Sequence, residues 1–233
     1  RHYYSEDGNF GYLAGAYEAA AMQETGVIYC IKHFVLNDQE TYRQGISTFL
    51  NEQAMRELYL RAFEGAFVEG GAMSVMLGFN RVGVIYTAAH EPLMKGILRD
   101  EWGFKGRITT DGFSSGFKYE THCPEMFEAG VNYFCLDTSY TGPKMLELIE
   151  NGDGNMVKNL RNMTKYNLYA ASRSVSMNGL GDGSVIVTVI PWWETALVAL
   201  AAVSAIVLIV SAVGCIAVSS GARKKNEKEA GRA

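Results

Sequence analysis

Cysteine is sparse in this chain: among 233 residues there are four, Cys30, Cys123, Cys135 and Cys215. They fall at no metal-ligand spacing, and Cys215 lies inside an apolar run, so they read as buried or lipid-facing thiols. A basic stripe is missing as well. Twenty-one Lys and Arg stand against 25 Asp and Glu, a net charge of −4. The cations are scattered, which excludes the electrostatic footprint of a nucleic-acid binder. No internal repeat is found. Nothing near Arg1 has the basic start, short apolar core and small-residue cleavage site of a signal peptide, and the first residue is not Met. The chain is therefore expected to be incomplete at its N-terminus. Charge is absent altogether from Ala196 to Val218, a run long enough to cross a bilayer as a helix.

Trp192 and Trp193 precede that run at headgroup depth, and Arg223, Lys224 and Lys225 follow it. The positive-inside rule then puts the tail in the cytoplasm and everything before Pro191 outside. This predicts a single-pass cell-membrane protein with the lipid bilayer as one partner. With 48% apolar and 20% charged residues, the remainder is expected to fold around one substantial core.

Gly26 to Phe34 (GVIYCIKHF) reads as a buried strand. Helical spacing of apolar residues runs from about Asn51 to Val68, with Gly70 and Gly71 as a stop. Ala72 to Phe79 is the next strand. Thr87 can cap a helix ending near Gly103, and Gly106 to Thr110 makes a third strand with Asp111 at its C-terminal end. A short helix from Pro124 to Ala129, a fourth strand from Val131 to Leu136, and helices over Pro143 to Glu150 and Met156 to Ser172 follow. Strand and helix alternate about four times, the pattern of parallel βα units. Four units do not close a barrel, so the expectation is the C-terminal portion of a (β/α)8 TIM-like barrel followed by a transmembrane helix. In numbers, 1–176 is a partial barrel, 177–191 a linker, 192–218 the membrane span and 219–233 a basic cytoplasmic tail.

Active sites in such folds collect at the C-terminal ends of the strands. Three polar groups fall there: Lys32 with His33, Asn80 after Phe79, and Asp111. Alone, Asp111 reads equally as the N-cap of a following turn, and Lys32 and His33 as a solvated strand end. Together they suggest a pocket in which a carboxylate beside a cation and an imidazole stays ionised, as suits a nucleophile.

The stretch IKHFVLNDQETYR, Ile31 to Arg43, resembles the KHF-x-x-N-x-QE-x-x-R signature of family 3 glycoside hydrolases of the β-glucosidase type. YYSED (Tyr3 to Asp7), NEQAMRELYL (Asn51 to Leu60), SVMLGFN (Ser74 to Asn80) and ILRDEWGFKGRITTD (Ile97 to Asp111) are similar to the family in the same order. The resemblance covers about residues 1 to 180 and implies that Asp111 is the nucleophile and that Lys32 and His33 bind sugar hydroxyls. By the same resemblance, Asn37, Glu40 and Arg43 shape or support the pocket. Gly78 and Phe79 match positions where the family often has Ser and a hydrogen-bonding Tyr, and Gly112 one where many relatives have Trp. KHFVLND differs from the KHFPGHG of the N-acetylglucosaminidase branch.

The implied activity is retaining hydrolysis of terminal β-linked sugars from an oligosaccharide or glycoside through a covalent glycosyl-enzyme, with no metal or organic cofactor. In the glucosidase branch the acid/base comes from a separate α/β sandwich domain, which precedes the barrel in permuted relatives. It is accordingly expected outside this chain, with Glu40 and Glu52 as structural carboxylates. The alternative is a non-catalytic carbohydrate-binding or surface-display barrel module.

Overall fold

The computed structural model describes residues 4–112, 122–136, 140–177, 183–185 and 187–230, the last stretch by backbone alone from 219 onward. It divides into two compact units, Arg1–Leu180 and Gly181–Ala233.

In the first unit, helix α1 (Gly8–Glu24) starts at Asp7, whose carboxylate accepts the N–H groups of Asn9 and Phe10. Strand β1 (Cys30–Phe34) follows, then the two-residue strand β2 (Ser47–Thr48). Helix α2 spans 52–69 and alternates between α turns (Glu52–Ala54, Arg61–Glu64) and wider π turns (Met55–Leu60, Gly65–Glu69). It starts at Asn51, whose side chain accepts the N–H of Ala54. Strands β3 (Ser74–Leu77), β4 (Arg81–Val82) and β5 (Ile85–Tyr86) lead to helix α3 (Pro92–Glu101) and strand β6 (Arg107–Thr109). Helices α4 (Cys123–Ala129), α5 (Thr141–Glu150) and α6 (Gly154–Ser172) complete the unit.

The central sheet has the order β1-β3-β6, all parallel, with Cys30 opposite Ser74 and Ser74 opposite Arg107. Parallel pairing aligns the C-terminal ends of all three strands on one edge, while α2 and α3 provide the crossovers. The core sits between this sheet and the helices. Phe34 meets Phe63 edge to face at 5.0 Å, and Phe67 lies 4.7 Å from Phe104. Arg99 fastens the end of α3 to the start of β6 by donating to the carbonyls of Phe104 (2.7 Å) and Gly106 (2.8 Å). The rings of Phe104 and Tyr166 flank its guanidinium, and burial pushes that group down to about 10.

Several elements differ from the sequence expectation. The strand expected from Gly26 begins only at Cys30, because the Gly26 carbonyl accepts the N–H of Val175 instead of joining the ladder. Thr87 caps no helix; it lies in a 3-10 turn, Thr87–Ala89, with its hydroxyl on the Asn80 carbonyl, and α3 starts beyond it. The fourth strand is reduced to one bridge between Thr109 and Tyr133. The Asn132 side chain, not a backbone carbonyl, accepts the Ile108 N–H at 2.7 Å, and this cuts the ladder short.

Helix α1 and the small sheet β2-β4-β5 were not anticipated. The seam of α1 with α2 is made of glycine and alanine: Gly11, Gly15 and Ala19 are buried on α1. A Cβ added at Gly15 would stand 2.8 Å from the Ala62 carbonyl oxygen, and one at Gly70 would stand 2.6 Å from Ala19 Cβ. β2 runs parallel to β4, and β4 turns back into β5 through Gly83 at a positive φ of 59°.

In the second unit, helix α7 (Trp192–Ala230) contains a stretch, Trp192–Val218, of 27 residues that is long and apolar enough to cross a membrane. None of that stretch is buried by protein. The backbone stays helical through most of the basic tail; 231–233, and residues 178–182 and 186 of the expected linker, lie outside the described residues.

Candidate active site

The Asp111 carboxylate stands just past the end of β6, and His33 lies one residue before the end of β1. β3 separates the two strands, so their backbones are about two strand spacings, roughly 10 Å, apart. Their side chains close that distance: His33 Nε2 lies 3.3 Å from Asp111 Oδ2, with both groups about a quarter exposed. The other oxygen, Oδ1, accepts the N–H of Gly112 at 2.7 Å. The hydrogen bond from His33 holds the Asp111 carboxyl below the usual carboxylate range, aided by the Gly112 N–H and the charges of His33 and Lys32, while partial burial opposes the shift. This carboxylate is thus charged at neutral pH, about a quarter exposed to solvent and oriented from two sides.

The loop after β1 carries the remaining candidates as one connected chain. Asn37 donates to Glu40 Oε1 at 3.3 Å, and Arg43 pairs with Glu40 Oε2 at 3.0 Å. The Arg43 guanidinium then lies over the Phe79 ring, 4.5 Å from its centroid. Where a tyrosine would present a hydroxyl, Phe79 therefore offers a ring face to a cation. Asn80, nearly fully buried, donates to the Val35 carbonyl at 2.9 Å and so links the end of β3 to the chain just past His33.

The structure thus brings together Lys32, His33 and Asp111 in one electrostatic group, and Asn37, Glu40, Arg43 and Phe79 in a second. The linking role of Asn80 was missed in the sequence, although its place after β3 had marked it as a polar strand end. A surface groove of about 790 Å³ lies elsewhere, between the start of α1 and α2, where Arg56, Arg61 and Asp7 line it. Arg56 is already paired with Glu52 and Glu101, and Arg61 with Glu64, so the arginines of that groove have carboxylate partners within the chain.

Comparison with known proteins bears on this arrangement. The description of the glycosyl hydrolase family 3 N-terminal domain matches residues 1–165. The chain belongs to glycosyl hydrolase family 3. It is 37% identical over 118 residues to a β-glucosidase of Rhizobium radiobacter, an overlap of 51% of this chain and 14% of that one. It is 38% identical over 136 residues to a probable β-glucosidase K of Emericella nidulans, covering 58% of this chain and 15% of the relative. Among solved structures, β-glucosidase 3B from Thermotoga neapolitana superposes with a TM-score of 0.64 at 26% identity, over 76% of this chain and 26% of that one. The chain spans about one seventh of the length of these two curated relatives. The family's N-terminal domain is a TIM-barrel-like α/β fold, and β1, β3 and β6 with their crossover helices form part of it.

Proposed function

We propose that this chain carries the nucleophile of a membrane-anchored, retaining β-glucosidase that removes terminal β-linked sugars from oligosaccharides or glycosides. The observation that carries the reading is the Asp111 carboxylate, ionised by its contact with His33 at the C-terminal edge of a parallel sheet. Membership of family 3 and similarity to β-glucosidases support it. In this reading Asp111 attacks the anomeric carbon while a carboxylic acid about 5 Å away protonates the leaving oxygen. Water then releases the sugar by the reverse route. Lys32 and His33 bind its hydroxyls, and the loop chain Asn37, Glu40, Arg43 and Phe79 shapes the pocket. No metal or organic cofactor takes part. Helix α7 over 192–218 spans the cell membrane once, reached from the barrel part (1–176) through the linker 177–191, and leaves 219–233 in the cytoplasm and the sheet outside.

The test uses the full-length protein in its membrane. A 2-deoxy-2-fluoro-β-glucoside is expected to label the peptide containing Asp111, and Asp111→Asn to abolish aryl-glucoside turnover. Near-normal turnover by the variant, or a label on another residue, would overturn the assignment. The ring that Phe79 offers to Arg43 and the bare backbone at Gly112 favour a second reading, a sugar-binding display module. Retained sugar binding with neither label nor turnover would establish that one instead. Extraction at high pH should leave the protein in the membrane pellet, and removal of 192–218 should release it; release of the intact protein would refute the anchor.

A further inference from the structure

His33 meets Asp111 one residue before the end of β1, and two residues just past β3 bind the chain that follows. Gly78 donates its N–H to the Phe34 carbonyl at 2.7 Å, and Asn80 donates its side-chain amide to the Val35 carbonyl at 2.9 Å. The Asn80 backbone carbonyl is held in turn by the N–H (3.0 Å) and hydroxyl (2.9 Å) of Thr87. The carbonyls of Phe34 and Val35 are thus both fastened to the chain just after β3. The Asn80 side chain can take this position because residue 78 has no Cβ: an added Cβ would overlap Asn80 Oδ1 and lie 3.3 Å from Asn37 Cβ. Asn80 is 1% exposed, so its amide has nowhere to retreat.

We propose that Gly78 and Asn80 act as a coupled pair of positioning residues, a clasp between the ends of β1 and β3 that keeps His33 against Asp111. The catalytic meaning of the clasp rests on the reading of Asp111 as nucleophile; the clasp itself does not. Among the described residues, the charged or titratable groups acting on Asp111 are His33 and Lys32, both from β1. A loosened β1 end therefore changes the carboxyl's environment directly. Asn80→Ala removes the bond to Val35, and Gly78→Ala removes it indirectly by displacing the amide. If Gly78 acts through Asn80, the effects do not add.

The experiment follows the titration of Asp111 in the full-length protein in detergent micelles, by carbon-13 NMR of labelled aspartate, with Asp111→Asn identifying the resonance. Asn80→Ala and Gly78→Ala are each expected to move the titration to higher pH, and the double variant to match Asn80→Ala alone. Aryl-glucoside kcat/KM, measured alongside, is expected to fall about tenfold to a hundredfold in each variant, as for a small misplacement of a catalytic group. An unmoved titration in Asn80→Ala overturns the clasp, as does a Gly78→Ala effect that persists in full when Asn80 is already alanine. A parent protein without turnover whose titration still shifts removes the nucleophile reading and leaves the clasp standing.

Discussion

Gly65→Ala in the middle of α2 is a substitution for which helix propensity and packing predict opposite signs. In an isolated helix the change would stabilise by about 1 kcal/mol. Here the new Cβ would stand 2.7 Å from the carbonyl carbon and 2.9 Å from the Cα of Tyr12, and nearer still to the Tyr12 carbonyl oxygen. Non-bonded carbons sit at about 3.5–4.0 Å, so α1 must back away by roughly 1 Å. The obstacle is backbone, which no change of rotamer relieves, and the same seam is held close at Gly15 and Gly70. Such overpacking costs up to about 3 kcal/mol, and occasionally more. Against the propensity gain, the net loss is about 2 kcal/mol, or a Tm lower by about 4–8 °C for a unit of this size. Gly96→Ala in α3 is the control, because a Cβ there meets nothing within 4 Å. That variant should be more stable by about 1 kcal/mol. Scanning calorimetry in micelles separates the two. Equal effects, or a Gly65→Ala protein as stable as its parent, would refute the close-packed α1 seam.

Two further outcomes follow from the site and the core. His33→Ala removes the main cause of the lowered Asp111 pKa, so the acid limb of kcat/KM should move to higher pH. The folded-state pKa of Asp111 is depressed, so its stabilising contribution is present above the unfolded value of about 3.9 and lost as pH falls through the folded value. His33→Ala should flatten the stability profile in that acid window; an unchanged limb and profile would show that the contact carries no energy. Phe63→Ala, at a fully buried ring edge-on to Phe34, should cost about 3–5 kcal/mol in urea unfolding, and a loss under about 1 kcal/mol would contradict the packing.

What could be read from the sequence followed the strength of its apolar periods. β1, β3, β6 and α2 were legible because Ile31, Val75, Ile108 and Phe63 recur with a strand or helix period and are indeed buried. α1 escaped because its buried positions are Gly11, Gly15 and Ala19, whose small side chains create no contrast, while Phe10, Leu13 and Tyr17 on the same helix are exposed. The spacing of small residues four apart was the available signal. β2, β4 and β5 are two residues each, too short for a period of two to show. At the site, the strand-end rule singled out Lys32, His33, Asn80 and Asp111. It could not show that Phe79 lies under Arg43, or that Asn80 reaches the Val35 carbonyl, because those relations join separate βα units.

The environment of Asp111 also directs the search for its proton-donating partner. A general acid must be protonated in the resting enzyme, which calls for burial away from cations or for a neighbouring negative charge. Two carboxylates in the chain can be judged on that ground. Glu40 is engaged by Arg43 at 3.0 Å and by Asn37, and Glu52 by Arg56 at 2.9 Å. A neutral carboxyl at either place would give up its ion pair, so both are expected to serve structure and not proton transfer. Glu40→Gln and Glu52→Gln should therefore show no rescue by azide, the small anion that replaces a missing acid/base in the second step of a retaining mechanism. Glu40→Gln should instead raise KM more than it lowers kcat, since its loss frees Arg43 in the pocket wall. Formation of β-glucosyl azide by either variant would identify that residue as the acid/base and overturn the argument from its ion pair.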